Sequence, residues 1–129
     1  MMLDKKLFGV KQLLDAYAKP LFWLAFVVLS TLFLIPQEYL IPEVFDWWDK
    51  LQHSLAFGVL SLLGFLAYSR THNQILAMVI AMVIYGAVIE LAQSLTGWRY
   101  GEFRDWLADT LGVAIAWIIY RYFLKRRSA

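Results

Sequence analysis

Cysteine is absent from this chain, so disulfides and thiolate metal sites are excluded, and the redox compartment cannot be read. Proline occurs only at positions 20, 36 and 42, so beyond Pro42 no residue of that kind interrupts a helix. Charge is scarce as well, at 17% of residues, and is missing altogether from Pro20 to Gln37. The 12 Lys+Arg stand against 10 Asp+Glu and cluster at the ends of hydrophobic segments. That distribution has no basic groove-lining pattern, and no nucleic-acid partner is expected. Polar helix faces are also lacking, which excludes a soluble bundle of amphipathic helices.

What remains is apolar. The chain is 61% hydrophobic, above the share of soluble domains, and its 129 residues support one domain. Pro20–Gln37 carries no charge, Leu51–Ser69 has only His53 as an ionisable group, and Thr71–Ile89 has only His72 near its start. As helices, each would cover about 27 Å or slightly more, enough to cross hydrocarbon. A fourth run, Thr110–Tyr120, is too short alone. It reaches spanning length if the helix begins near Phe103 and takes Asp105 and Asp109 into its first turns.

Ahead of the first run, Leu3, Leu7, Val10, Leu14 and Tyr17 recur at helical spacing, with Asp4, Lys5, Lys11 and Asp15 elsewhere on the wheel. This pattern suits a helix lying in the membrane interface; a frayed tail is the alternative. A signal peptide is not expected, because the apolar run is broken and no small-residue cleavage site follows. The predicted fold is thus an all-α membrane protein with four transmembrane helices preceded by an amphipathic interfacial helix. Residues 1–19 form that helix, 20–125 the four-helix domain and 126–129 a basic tail.

Basic residues set the expected orientation. Lys5, Lys6, Lys11, Lys19, Arg70, Arg121, Lys125, Arg126 and Arg127 fall on one side. Only Lys50, Arg99 and Arg104 fall on the other, with Glu38, Glu43, Asp46, Asp49, Glu90, Glu102, Asp105 and Asp109. Positive-inside then puts both termini in the cytoplasm of a multi-pass protein of the bacterial inner membrane. Trp47, Trp48, Trp98 and Trp106 would form an outer aromatic belt, and Tyr68, Tyr120 and Tyr122 an inner one.

In this topology His53, Glu90 and Asp109 reach similar depth below the outer surface from three different helices. Helical spacing gathers Asp49, His53, Phe57, Ser61, Gly64 and Tyr68 on one stripe, Gly86, Glu90, Gln93 and Gly97 on another, and Asp105, Asp109 and Gly112 on a third. Polar groups among small residues mark faces turned toward other helices. Ionisable groups in hydrocarbon normally face the bundle interior, where they pair or line water. The sequence therefore predicts one outer-leaflet cavity holding His53, Glu90, Gln93, Arg99, Asp105 and Asp109. The plain structural alternative is a set of salt bridges locking the bundle, with Arg99 or Arg104 neutralising Glu90.

The runs "DKLQHSLAF" and "ELAQSLTGWRYGEFRDWLADTLG" resemble the VanZ-like family, known through a protein associated with teicoplanin resistance. That family's pattern has Asp-Lys-x-x-His, then Glu-x-x-Gln, an Arg in the following loop, and Asp-x-x-x-Asn-x-x-Gly. Asp49, Lys50 and His53 match the first element; Glu90, Gln93, Arg99, Asp105 and Gly112 match the rest in order. Asp109 stands where the pattern has Asn. The resemblance covers roughly residues 20–125 and implies a small polytopic protein of the bacterial cell envelope, linked to lipoglycopeptide resistance through the outer leaflet or envelope precursors there.

Three function classes follow. A binding module would recognise a lipid-linked or glycopeptide-type envelope molecule through Asp49, Lys50, His53, Glu90, Gln93, Arg99, Arg104, Asp105 and Asp109, the arginines holding phosphate or carboxylate. An enzyme would modify an envelope lipid or precursor, with His53, Glu90 and Asp109 as acid/base groups. No nucleophile completes such a site: Ser54 points about 100° away from His53 on a helix, and Ser94 and Thr96 read as helix-end residues. A structural or regulatory subunit would use the cluster for helix specificity alone. His53 and the carboxylates are suitable divalent-cation ligands, but with one histidine and no cysteine the sequence assigns no metal and no cofactor. The expected partners are membrane lipids or a lipid-linked envelope precursor. A transporter fits poorly, since four helices barely enclose a pathway; a homo-oligomer would change that.

Overall fold

A computed structural model describes residues 1–124, and every regular element in it is helical. Helix α1 spans Met2–Leu34, α2 Trp48–Tyr68, α3 His72–Thr96 and α4 Phe103–Ile119. A 3-10 turn at Gln37–Tyr39 follows α1, and a π-turn at Tyr120–Leu124 extends α4. The basic residues Lys125, Arg126 and Arg127 lie outside the described residues.

Local chemistry sets the boundaries. Helix α1 stops at Ile35, which is extended (φ −75°, ψ 156°), as expected before Pro36. Thr71 caps α3 by accepting from the Gln74 backbone N–H, while the Gln74 side chain accepts from the Thr71 N–H. Helix α3 ends at Gly97, whose φ of 81° is the left-handed conformation that closes many helices. Asp49 and Asp105 lie in the first turns of α2 and α4, where a carboxylate complements the helix dipole.

Residues 2–19 are helical but not separate: α1 runs unbroken through Pro20. Proline removes one intrahelical bond and crowds one carbonyl, and helix-forming residues on both sides carry the helix across that defect.

Helices α1, α2 and α3 are each long and apolar enough to cross a membrane. Helix α4, with 17 residues, begins at the expected Phe103. The bundle is apolar on the outside as well as within. Leu24, Val59, Ile84, Leu91, Leu111 and Ile118 are exposed, while Phe22, Phe57, Leu60, Met82 and Val113 are buried. In water, each exposed large side chain would forgo about 1.5–3 kcal/mol of burial; in lipid it forgoes none of it. This is a membrane protein's surface.

The closest packing is between α2 and α4. A Cβ on Gly112 would run into the Ser54 carbonyl and lie 3.0 Å from the Gly58 nitrogen, so the two backbones nearly touch there. The end of α1 is pinned from α3 and the loop after it: the Gln93 amide donates to the Phe33 carbonyl (2.9 Å) and the Trp98 indole to the Leu34 carbonyl (2.9 Å). Both acceptors belong to the last turn of α1, which has no intrahelical donors of its own. At the opposite end the Tyr120 hydroxyl donates to the Ser69 carbonyl (2.8 Å), and the Trp23 indole donates to the Tyr68 hydroxyl (2.7 Å). Of the tryptophans expected in one belt, Trp47 and Trp98 are exposed, whereas Trp106 turns its indole inward to the Val83 carbonyl (3.0 Å).

Candidate functional site

One end of the bundle collects the start of α2, the end of α3, the loop 97–102 and the start of α4. Helix α2 supplies Asp49, Lys50 and His53 on its first two turns; α3 supplies Glu90 and Gln93; α4 supplies Asp105 and Asp109. His53 and Asp109 are fully buried, Gln93 and Asp105 nearly so, and Glu90 and Arg99 are 8% and 7% exposed.

At the centre, His53 Nδ1 donates to Asp109 Oδ1 at 2.8 Å and lies 3.5 Å from Glu90 Oε1. The other Glu90 oxygen accepts from the Glu102 backbone N–H at 2.8 Å, which ties α3 to the entry of α4. Phe33 of α1 covers the imidazole, ring centroids 4.6 Å apart. Around this centre, Lys50 Nζ lies 2.8 Å from Asp105 and 3.0 Å from Glu102, and Arg99 lies 3.8 Å from Asp49. Each outer carboxylate thus has a cationic neighbour. Among the described residues, Glu90 and Asp109 have only His53.

The sequence-predicted residues therefore divide. His53, Glu90 and Asp109 meet directly, and Lys50 with Asp105 and Arg99 with Asp49 form flanking pairs. Gln93 is buried beside them, but its amide is committed to the end of α1. Among the described residues Arg104 is exposed and forms no ion pair, and neither arginine neutralises Glu90. Sequence reasoning missed Glu102, which contributes both a backbone donor and a carboxylate, and Phe33, which lies against the imidazole. Glu102 sits three residues before Asp105, a spacing that places both near one lysine, but a loop residue carries no periodic signal. Several buried polar atoms have no protein partner: His53 Nε2, Asp109 Oδ2, Glu90 Oε1, Gln93 Oε1 and Arg99 Nη1. Native interiors rarely leave such atoms without a partner.

Beside the cluster, a groove of about 650 Å³ runs between α1 and α2. Val28, Leu32, Phe33, Leu55 and Val59 make its walls apolar, and Asp49 and Arg99 stand at its polar end. Phe33 belongs to both features, lining the groove on one side and covering His53 on the other.

A sequence model of the VanZ/LLP1 family matches residues 11–125, nearly the whole chain. The chain belongs to the VanZ/LLP1 family. No curated protein and no solved structure matches it. The match begins within α1, so residues 11–19, which the sequence reading left outside the resemblance, fall inside the family's span. Asp109, where the resembled pattern has Asn, is the residue bonded to His53 in this VanZ/LLP1 protein.

Two chemical capacities follow from the geometry. The Asp109 contact fixes the imidazole and leaves Nε2 free for proton transfer. No side-chain hydroxyl among the described residues bonds to His53, and Ser61 lies about 12 Å along the helix by its rise. The second capacity is anion recognition, since the positively charged Arg99 lines the end of an apolar groove.

Proposed function

We propose that this VanZ/LLP1 protein binds a membrane amphiphile with an anionic head, its hydrocarbon chain in the α1–α2 groove and its head at Arg99. The observation that carries this reading is the groove itself: apolar walls end at Asp49 and the guanidinium-bearing Arg99. Guanidinium groups hold phosphate or carboxylate by two parallel hydrogen bonds, and more strongly where water is excluded. The 3.8 Å approach of Asp49 is too long for a hydrogen bond, so Arg99 retains donors for a ligand. A phospholipid and a lipid-linked envelope precursor share this chemistry. Binding such a molecule is the simplest link to lipoglycopeptides of the teicoplanin type, which act on the envelope side of the membrane.

Native mass spectrometry of the protein released from nanodiscs tests the reading. With phosphatidylglycerol, the wild type should retain one lipid per chain. Val28→Trp, which fills the groove, and Arg99→Gln, which removes its charge, should each reduce retention about tenfold or more. Phosphatidylcholine should be held less well and should respond less to Arg99→Gln. Undiminished retention in Val28→Trp contradicts the reading.

In the membrane this proposal takes α4 as a fourth span. With its π-turn, α4 reaches about 33 Å by the helical rise, and Leu107, Leu111, Ile115 and Ile118 give it an apolar outer face. Both termini are cytoplasmic, and the polar end lies in the outer leaflet of the bacterial cytoplasmic membrane, as positive-inside requires. The chain has no cysteine of its own, so single introduced thiols report cleanly. Glu43→Cys and Tyr100→Cys should label from outside intact cells and Asn73→Cys should not. Gly101 is unsuitable as a probe position, because its Cβ would strike the Glu90 carbonyl. Labelling of Asn73→Cys from outside reverses the orientation.

A second reading, an enzyme acting on the same lipid, is favoured by the His53–Asp109 contact with Glu90 alongside. There His53 serves as general base toward water or a substrate hydroxyl. Lipid profiles of cells with and without the gene separate the two, since only the enzyme requires a new or missing species.

A further inference from the structure

The metal-ligating potential of the central cluster goes beyond the lipid reading and stands without it. Three helices bring one nitrogen and two carboxylate oxygens together: His53 Nδ1 of α2, Glu90 Oε1 of α3 and Asp109 Oδ1 of α4. The nitrogen lies 2.8 Å from Asp109 and 3.5 Å from Glu90, and one donor atom from each residue lies within 4.8 Å of the others. Zinc bonds of about 2.0–2.2 Å in tetrahedral geometry put neighbouring ligand atoms about 3.3–3.6 Å apart. The Glu90 edge matches that spacing and the Asp109 edge is shorter, so a small rotation of Asp109 away from the imidazole would complete three corners of a tetrahedron.

Two further observations separate this trio from an ordinary ion-paired cluster. Glu90 Oε1, in a residue more than nine-tenths buried, faces His53 without forming a hydrogen bond. The charge inventory also fails to close. Lys50 serves Asp105 and Glu102, Arg99 serves Asp49, and Arg104 is exposed. Two buried carboxylates are left to one imidazole, which offers at most one positive charge. A second trio, Asp49, His53 and Asp105, has comparable spacing, but both of its carboxylates already have cationic neighbours. A divalent ion at the first trio balances Glu90 and Asp109 and takes the place of the proton on His53 Nδ1, which passes to Nε2 so that the imidazole binds as a neutral ligand.

We propose that His53, Glu90 and Asp109 form a binding site for a divalent transition metal of the zinc class, with a fourth position open to water or a ligand oxygen. Calcium, with six to eight oxygen ligands, and magnesium, with its octahedral shell, fit one imidazole and two carboxylates less well.

Cobalt(II) is the probe, because its visible absorption distinguishes tetrahedral from octahedral coordination. The full chain, purified in detergent and stripped with a chelator, should take up one Co²⁺ per chain with an intense visible band that Zn²⁺ abolishes. Asp109→Asn and Glu90→Gln should each weaken uptake by about a hundredfold or more, since even outer-shell losses cost 10–100-fold. Asp49→Asn and Val28→Trp should retain it, so failure of the lipid reading leaves this result intact. No band in the folded wild type, or equal uptake by both ligand variants, overturns the site. If those variants do not fold, X-ray absorption on the zinc-loaded wild type decides. An imidazole in the first shell supports the proposal, and an all-oxygen shell overturns it.

Discussion

Gly112→Ala should lower the stability of this bundle by about 2 kcal/mol or more, although alanine is the better helix former. The added methyl would meet the Ser54 carbonyl and the Gly58 nitrogen, both backbone atoms of α2, so no flexible side chain can move aside. Overpacking of this kind typically costs about 1–3 kcal/mol, and a collision between two backbones belongs at the upper end. The gain in helix propensity, about 1 kcal/mol, offsets only part of it. Gly9→Ala is the matched control, because nothing lies within 4 Å of its new methyl. Thermal unfolding in detergent should show Gly112→Ala melting early and Gly9→Ala unchanged or slightly improved. Equal melting would mean that α2 and α4 do not approach as described, and the cluster they carry would lose its scaffold.

The second large effect belongs to His53. His53→Ala removes the partner that Glu90 and Asp109 share and leaves two buried carboxylates facing each other. Removing one member of a buried pair costs about 3–5 kcal/mol, because the other is left uncompensated. That is a large share of the total stability of a small domain, and the variant should melt early or be degraded in cells. Glu90→Gln should be far milder, since it keeps shape and its acceptor for the Glu102 N–H. Adding Asp109→Asn and Glu90→Gln to His53→Ala should recover most of the loss, the non-additivity expected of contacting residues. Early melting of the triple variant, with no recovery, would show that His53 acts through packing against Phe33 rather than through charge.

Much of this was legible in the sequence. Charge-free runs marked α1 to α3, and the need to reach spanning length put the start of α4 at Phe103. The period of 3.6 put His53, Glu90 and Asp109 on inward faces, because only faces turned from lipid tolerate such groups. What periodicity does not encode is which inward faces touch. The choice of Asp105, rather than Glu90, as partner for a cation depends on the path of the loop 97–102, and loops have no period. The same holds for Glu102, whose part in the site rests on a backbone N–H, a group every residue except proline carries. Nor does a charge-free run encode where its helix begins: α1 starts at Met2, well ahead of Pro20, because a proline weakens a helix only locally.

The central claim, that the α1–α2 groove holds a lipid whose head meets Arg99, is tested most directly by mapping where a lipid crosslinks. The probe is a phosphatidylglycerol carrying a diazirine on its acyl chain, reconstituted with the wild-type protein and photolysed. The account predicts labelled peptides from residues 25–33 and 52–59, lost in Val28→Trp. Label spread evenly over the outward faces of α3 and α4, around Ile84, Leu91 and Leu111, would contradict it.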